Sequence, residues 1–180
     1  MRARSWIILG AALAVVVVAG LVFKPWLLFV DVRVDEALPS AVAVPEETAS
    51  GEPDATESAE PAPAGPVALS SGSFTSHEHE TSGTATIVEN PDGTRVLALS
   101  DLATSNGPDV HVWLSASDVV EGTDGWYVAG GADFVDLGLI KGNLGNHVYD
   151  IPADVDLSLY PSVSLWCAQF AVSFGAAQLV

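Results

Sequence analysis

Cysteine is almost absent from this sequence, because Cys167 is the only one among 180 residues. A lone cysteine excludes a disulfide within the chain, a zinc ribbon or finger, and the cysteine pair that attaches a c-type haem covalently. It also leaves no cysteine directly after the N-terminal apolar run for lipid attachment. Any chemistry of Cys167 is therefore that of a single thiol. The alternative is that Cys167 packs as a small buried hydrophobe.

Basic residues are also scarce: the chain has 6 Lys and Arg against 23 Asp and Glu, and a net charge of −17. After Arg33 only Arg95 and Lys141 remain. Such a surface repels phosphate backbones, so the sequence argues against a nucleic-acid partner.

A long apolar run occurs once, at the N-terminus. Arg2 and Arg4 precede uninterrupted apolar residues from Trp6 to Phe23, which as a helix would span most of a hydrocarbon core about 30 Å thick. Trp6 and Trp26 stand near the two ends, as in an aromatic belt, and the N-terminal charges favour that end inside the cell. We therefore predict that residues 1–33 form a cytoplasmic tip and a single-pass anchor in the cell membrane, with the rest of the chain extracytoplasmic.

A cleaved signal peptide is the competing interpretation of this segment. Its apolar run would be shorter, and a small-x-small cleavage site should follow closely. The nearest candidate, Ala41-Val42-Ala43, stands far beyond the end of the run. Length and flanking residues favour an uncleaved anchor.

Residues 34–66 differ in composition from both neighbours. Ala, Pro, Glu, Ser, Thr and Val dominate, and there is no aromatic or basic residue. A segment of this kind cannot bury enough apolar area to offset the entropy of ordering. We predict a disordered acidic linker that holds residues 67–180 away from the membrane.

From residue 67 onward, short β-like runs alternate with clusters of Gly, Pro, Asn and Asp. This spacing predicts an all-β domain, an antiparallel β-sandwich of about eight short strands. The candidate strands are Ser73–Ser76, Thr84–Glu89, Thr94–Ser100, Asp109–Ser115, Val135–Leu139, His147–Ile151, Ser162–Ala168 and Phe170–Phe174. Among the predicted turns are Gly142-Asn143 and Gly145-Asn146.

The strand that carries the thiol shows a change of side-chain parity. Val163, Leu165 and Cys167 share one face, whereas the apolar residues from Phe170 onward have the opposite parity. A bulge or a tight turn near Ala168-Gln169 is therefore required, and bulges are frequent beside functional sites. In the earlier segment Asp109–Ser115, the same alternation places Val112 on the core side and His111 and Trp113 on the other.

The sequence His77-Glu78-His79-Glu80 invites a metal interpretation. In an extended segment His77 and His79 would project from one face, where they could bind a transition metal. A third ligand would have to come from elsewhere in the fold. The competing interpretation is a solvated polar turn between two strands.

Four motifs follow one another along the domain and resemble one family when taken together. They are Gly72-Ser73-Phe74 with His79 and Gly83; Asn106-Gly107-Pro108-Asp109 leading into Val112-Trp113-Leu114-Ser115; Leu137-Gly138 through Lys141-Gly142-Asn143 and Gly145-Asn146 to Tyr149-Asp150-Ile151-Pro152; and Val163-Ser164-Leu165-Trp166-Cys167 with Phe170, Phe174-Gly175 and Ala177. Over about residues 72–180 the chain resembles the electron transfer DM-thirteen family. One departure is His147, where a Gln-like residue is expected upstream of Tyr149.

The resemblance implies a β-sandwich of a kind often attached to membranes or found beside DOMON-type redox domains. It implies that Cys167 is redox-active, either as a bare thiol or as a ligand to a prosthetic group such as haem. Trp166, His111 and Trp113 are the expected neighbours of such a group. The turn residues expected to shape the site are Gly107, Pro108, Asp109, Lys141, Gly142, Asn143 and Gly145.

The function predicted from the sequence is a membrane-anchored extracytoplasmic domain with an electron-transfer or thiol redox role centred on Cys167. It fits a non-catalytic electron-transfer or binding domain better than an enzyme. The expected partners are the membrane and a redox partner protein. The sequence leaves two alternatives for the cofactor: a non-covalent prosthetic group such as haem, or no cofactor. The alternative is an adhesion or ligand-binding module with a structural cysteine. Access to the thiol distinguishes the redox role from the structural role, because a redox thiol should open onto a cavity.

Overall fold

The computed structural model describes residues 2–40 and 65–180. Residues Arg2–Phe23 form helix α1, and a short 3-10 helix over Pro25–Phe29 follows. Within α1, Trp6–Phe23 has a mean hydropathy of 2.8 and no part of it is buried against the rest of the protein. This helix is long and apolar enough to cross a membrane, although a signal sequence has the same properties.

In the described part of the chain, nine strands form one curled sheet, in the order β1-β7-β4-β3-β2-β9-β8-β5-β6. All neighbours pair antiparallel except β1 and β7, which are parallel. The strands are β1 Arg33–Asp35, β2 Val67–Ser76, β3 Ser82–Glu89, β4 Arg95–Ala103, β5 Val110–Ser115, β6 Phe134–Leu139, β7 Leu144–Ile151, β8 Ser162–Cys167 and β9 Val172–Gln178.

The sheet curls because β2 belongs to both halves. Its residues Val67–Ser73 pair with β3, and Phe74–Ser76 pair with β9. Two layers result, and the apolar faces of both contribute to one core. The predicted all-β architecture is therefore confirmed, and each of the eight predicted strands corresponds to an observed one.

Alternation along β5 and β8 positions the candidate residues. In β5, Val110, Val112 and Leu114 enter the core, while Trp113 lies on the outer face in a separate cluster with Trp166. In β8, Cys167 faces the core together with Val163 and Leu165. Both parities predicted from the sequence are thus observed, because one face of each strand is buried.

Some boundaries differ from the prediction. Gly145-Asn146, predicted as a turn, lies inside β7, where the partner strand β1 approaches its backbone. Residues 168–171 form a tight turn, so the last strand begins at Val172 rather than Phe170. This turn supplies the predicted parity change.

The predicted linker over 34–66 falls mostly on residues 41–64, which lie outside the described residues. At its start, Val34 and Asp35 belong to β1 and pair with β7. No periodic pattern marks this strand, because three residues are too few to show one.

Candidate functional site

Cys167 is the last residue of β8 and has no solvent-accessible surface. Its cross-strand neighbours are Val110 of β5 and Val172 of β9. The side chain belongs to the main apolar core. In this conformation the thiol is walled in by protein.

The turn after β8 also surrounds the sulphur. Burial raises the pKa of the Cys167 thiol, and the backbone N–H groups of Phe170, Gln169 and Asp109 oppose this shift only in part. The thiol is therefore protonated at neutral pH, and a protonated buried thiol reacts slowly.

A cavity of about 470 Å³ adjoins the same turn. Cys167 is not among its lining residues, but its cross-strand neighbour Val172 and Phe170 of the turn are. The complete lining is Phe23, Lys24, Pro25, Leu27, Glu78, His79, Asn106, Gly107, Pro108, Trp126, Tyr127, Phe170, Val172 and Phe174.

The turn also contacts the end of helix α1. Gln169 Nε2 donates a hydrogen bond to the Val22 carbonyl at 3.2 Å, which satisfies one of the carbonyls that a helix C-terminus leaves unpaired. The rings of Phe23 and Phe170 stack with centroids 6.0 Å apart. The segment that follows Cys167 thus joins the core thiol, the cavity wall and the apolar helix.

His77 and His79 lie in a bend after β2 and have different surroundings. Nδ1 of His77 lies 2.9 Å from Ser173 Oγ, and its Nε2 lies 3.1 Å from the Val120 carbonyl oxygen, so both ring nitrogens have protein partners. His79 packs on Phe174 and pairs with Glu78 through Nε2. Within residues 2–40 and 65–180, no group of three or more His, Cys, Asp or Glu is arranged to hold a metal ion.

Trp166, Trp113 and His111 lie on the outer face of β8 and β5, opposite the thiol. The indole rings of Trp113 and Trp166 stack with their centroids 5.1 Å apart, and the ring of Phe134 stacks on Trp113 with a centroid distance of 3.7 Å. Trp113 Nε1 is buried without a hydrogen-bond partner. The structure therefore divides the predicted set into a core thiol and an outer aromatic cluster.

His111 is flanked by two carboxylates on this outer face. Asp109 Oδ1 lies 3.2 Å from its Nε2, and Asp136 Oδ2 lies 2.8 Å from its Nδ1. The Asp136 oxygen is close to Nδ1 but makes no hydrogen bond with it, because the geometry is unsuitable.

The predicted turn residues separate in the same way. Gly107 and Pro108 line the cavity, and the Asp109 carbonyl accepts a hydrogen bond from Ala168 N at 2.9 Å. The other turn, over residues 141–145, instead holds the segment that leads from α1 into β1. We call residues 31–36 the N-terminal clasp.

Asn143 and two glycines position the clasp. Val32 N donates to Asn143 Oδ1 at 2.7 Å, and Asn143 Nδ2 donates to Asp31 Oδ1 at 2.8 Å. A Cβ atom on Gly142 would lie 2.4 Å from the Val32 carbonyl oxygen, and one on Gly145 would lie 2.1 Å from that of Val34. Only glycine permits this approach of two backbones.

An ion pair closes the far end of the clasp. Lys141 Nζ donates to both carboxylate oxygens of Glu36 at 2.8 Å, and Val148 N donates to Glu36 Oε2 at 2.7 Å. The hydrogen bond from Lys141 and that from the Val148 N–H hold the pKa of Glu36 below its usual range. The domain is thereby tied to residues that directly follow the apolar helix.

A protein-family comparison bears on this architecture. The family model described as Electron transfer DM13 matches residues 73–179, more than half of the chain. The chain belongs to this family. Comparisons with curated proteins and with solved structures found no match. The family supports a general electron-transfer role for this DM13 domain, and the resemblance carried by the four motifs is confirmed.

A haem held by Cys167 does not fit the DM13 domain as described. An iron–thiolate bond requires the metal to lie directly against the sulphur. Cys167 has no accessible surface, and Val172 and Phe170 rather than Cys167 line the neighbouring cavity. In this conformation the Cys167 thiol is therefore not placed to ligate a haem iron.

His147 provides a prediction about pH. Its side chain has no solvent exposure, and burial lowers the pKa of its imidazole from the ordinary 6.5. The unfolded chain therefore binds more protons at acidic pH, and the free energy of unfolding falls as pH drops below about 6.5. We expect His147→Gln to remove part of this decline, measured by urea unfolding at several pH values. The remainder is assigned to His77, whose pKa burial also lowers, and at lower pH to carboxylates with a lowered pKa such as Glu36; an unchanged decline in the variant would contradict the assignment.

Sequence analysis did not identify the cavity or the clasp. The cavity is lined by residues from distant parts of the chain, which no spacing rule brings together. A signal for the clasp exists in Gly142 and Gly145, two glycines that flank the polar Asn143 in a strand-rich region. We interpreted these glycines as turn residues, whereas in the structure they allow the backbone of the clasp to approach closely.

Proposed function

We propose that this chain is a membrane-anchored DM13 domain that takes part in electron transfer outside the cytoplasm, with its site centred on Cys167 and the adjoining cavity. The observation that carries the proposal is the position of residues 168–171. They follow the thiol directly, form part of the cavity wall and contact the end of α1. The family supplies the general electron-transfer role.

The anchor in this proposal is Trp6–Phe23, which is long and apolar enough to span a membrane. The positive charges of Arg2 and Arg4 favour a cytoplasmic N-terminus. Because the clasp holds the domain to residues 31–36, the domain would lie close to the membrane surface rather than at the end of a stalk. Its redox partner would then be a membrane protein or a carrier in the bilayer.

Protein-film voltammetry of the purified full chain tests the central role of Cys167. We expect an oxidative wave that is shifted or lost in Cys167→Ser and unchanged in Ala168→Ser, which places the same hydroxyl one residue later on an exposed position. A wave that is the same in all three proteins would contradict the role of Cys167. The absence of any wave would contradict electron transfer itself.

Absorption spectra of the same samples test the conclusion about haem. We expect no visible band that depends on Cys167, because the sulphur does not reach the cavity. A band present in the parent chain and lost in Cys167→Ser would overturn that conclusion.

A second candidate function is a ligand-binding module in which Cys167 only packs. Its support is the complete burial of the thiol among apolar core residues: Cys167 does not open onto the cavity, as the access criterion requires of a redox thiol. This candidate predicts that Cys167→Ala lowers stability and leaves every redox property unchanged, since a buried cysteine acts as a small hydrophobe.

Alkylation kinetics measure how well the thiol is separated from the cavity. We expect the folded chain to resist iodoacetamide, and Val172→Ala to raise the rate because Val172 both pairs with Cys167 across the strands and lines the cavity. A change that lowers the free energy of local opening by about 1.4 kcal/mol raises an opening-limited rate tenfold. Val163→Ala is the control, since it removes the same atoms from the same core away from the cavity; equal rates in both variants would contradict the proposed separation.

A further inference from the structure

The cavity of about 470 Å³ lies between the end of the apolar helix and the β domain. Phe23, Pro25 and Leu27 form one side of it. If α1 spans a bilayer, these residues lie where the hydrocarbon ends, since Phe23 is the last residue of the helix. A molecule dissolved in the bilayer would then reach the cavity without crossing bulk water.

The walls of the cavity suit a flat ring. Five of the lining residues are Phe, Trp or Tyr: Phe23, Trp126, Tyr127, Phe170 and Phe174. Aromatic rings pack well against other flat rings in offset or edge-to-face geometry. The volume falls within the range of small-molecule sites, which are largely apolar with a few polar groups that fix orientation.

The polar groups at the cavity favour a neutral ligand. Glu78 and Lys24 are its charged lining residues, and the chain carries a net charge of −17. An anionic lipid phosphate would meet one ammonium group and a carboxylate, not a cluster of N–H donors. The side-chain chemistry therefore disfavours a phospholipid headgroup.

We propose that this cavity binds the headgroup of a membrane quinone, a substituted 1,4-benzoquinone or naphthoquinone with an isoprenoid tail. The inference rests on the proposed electron-transfer role. A quinone is a redox carrier that dissolves in the bilayer, where the cavity would be accessible to it. Glu78 pairs with Nε2 of His79, which leaves Nδ1 as the ring nitrogen available to a quinol hydroxyl. The aromatic side chains would enclose the ring.

The test uses the full chain in detergent micelles and a ubiquinol analogue with a single isoprene unit, titrated by calorimetry. We expect saturable binding at one site. His79→Leu and Leu27→Trp should each weaken it about tenfold, the first by removing a hydrogen-bond partner and the second by filling the cavity. Leu69→Trp is the matched control, because Leu69 is 46% exposed on β2 and does not line the cavity.

Each outcome decides the inference. Equal affinity in all variants, or no saturable binding, overturns it. Displacement of the quinol by phosphatidylcholine with the same dependence on Leu27 also overturns it, because the cavity would then hold a lipid chain. The proposed function fails separately, if quinol binds as expected and yet passes electrons to ferricyanide no faster than free quinol does.

Discussion

Replacing Gly145 with alanine should release the N-terminal clasp and lower the free energy of unfolding more than a comparable glycine replacement elsewhere. A Cβ atom at residue 145 would lie 2.1 Å from the Val34 carbonyl oxygen, closer than any real contact. The clashing atom belongs to the backbone and cannot rotate aside, so β1 must separate from β7 and lose its backbone hydrogen bonds to that strand. The two backbone hydrogen bonds at the ends of this ladder, from Leu144 N to the Val32 carbonyl and from Glu36 N to the Asn146 carbonyl, contribute about 1 kcal/mol each, so the loss is roughly 2 kcal/mol.

Gly138→Ala is the matched control for this prediction. Gly138 has a φ of +112° and Gly145 a φ of +100°, so alanine is strained at both positions. No described atom lies within 4 Å of a Cβ built on Gly138. The difference between the two variants in urea unfolding therefore isolates the clasp.

Limited trypsin digestion gives an independent measurement of the same release. Arg33 lies in β1, and pairing with β7 should protect the bond that follows it. We expect rapid cleavage after Arg33 in Gly145→Ala and slow cleavage in both Gly138→Ala and the parent chain. Equal cleavage rates in the two variants would show that the clasp does not hold the segment.

Replacing Trp166 with alanine should cost about 3–5 kcal/mol, the usual range for a large buried aromatic residue. Trp166 is 5% exposed and stacks on Trp113. Its ring also lies on the backbone of Gly130, where a Cβ atom would approach Trp166 Cη2 to 2.4 Å. The Trp166→Ala substitution therefore removes the contact between β8 and the loop that carries Gly130.

Phe134→Ala separates burial from stacking in this outer cluster. Phe134 stacks on Trp113 at 3.7 Å but is 45% exposed, so its removal should cost about 1 kcal/mol. Thermal or urea unfolding of both variants measures the difference. A Trp166→Ala cost no larger than that of Phe134→Ala would mean that the cluster is not packed as described.

Local patterns predicted much of the fold. Alternation in β5 and β8 placed Val112 and Cys167 in the core and Trp113 outside, because a pleated strand with one buried face permits only one register. The parity change after Cys167 predicted a turn, and residues 168–171 form it. These features depend on neighbours along the chain and are visible in the sequence.

The site required long-range contacts that no local pattern specifies. Trp166 and Cys167 are consecutive, yet they face opposite sides of the sheet, so proximity in sequence did not make them one site. The cavity and the clasp arise where α1 and residues 31–36 meet the β domain, and the relevant glycines have the composition of ordinary turns.

For Cys167, the sequence by itself determined that the thiol is single, that it faces the core and that a turn follows it. The tertiary structure decided that the thiol is buried and that its cross-strand neighbour Val172 lines a cavity. The physical reason is that burial depends on everything packed around a residue. Here the cover comes from β5, β9 and the turn, elements that pack around the thiol only after the sheet has curled.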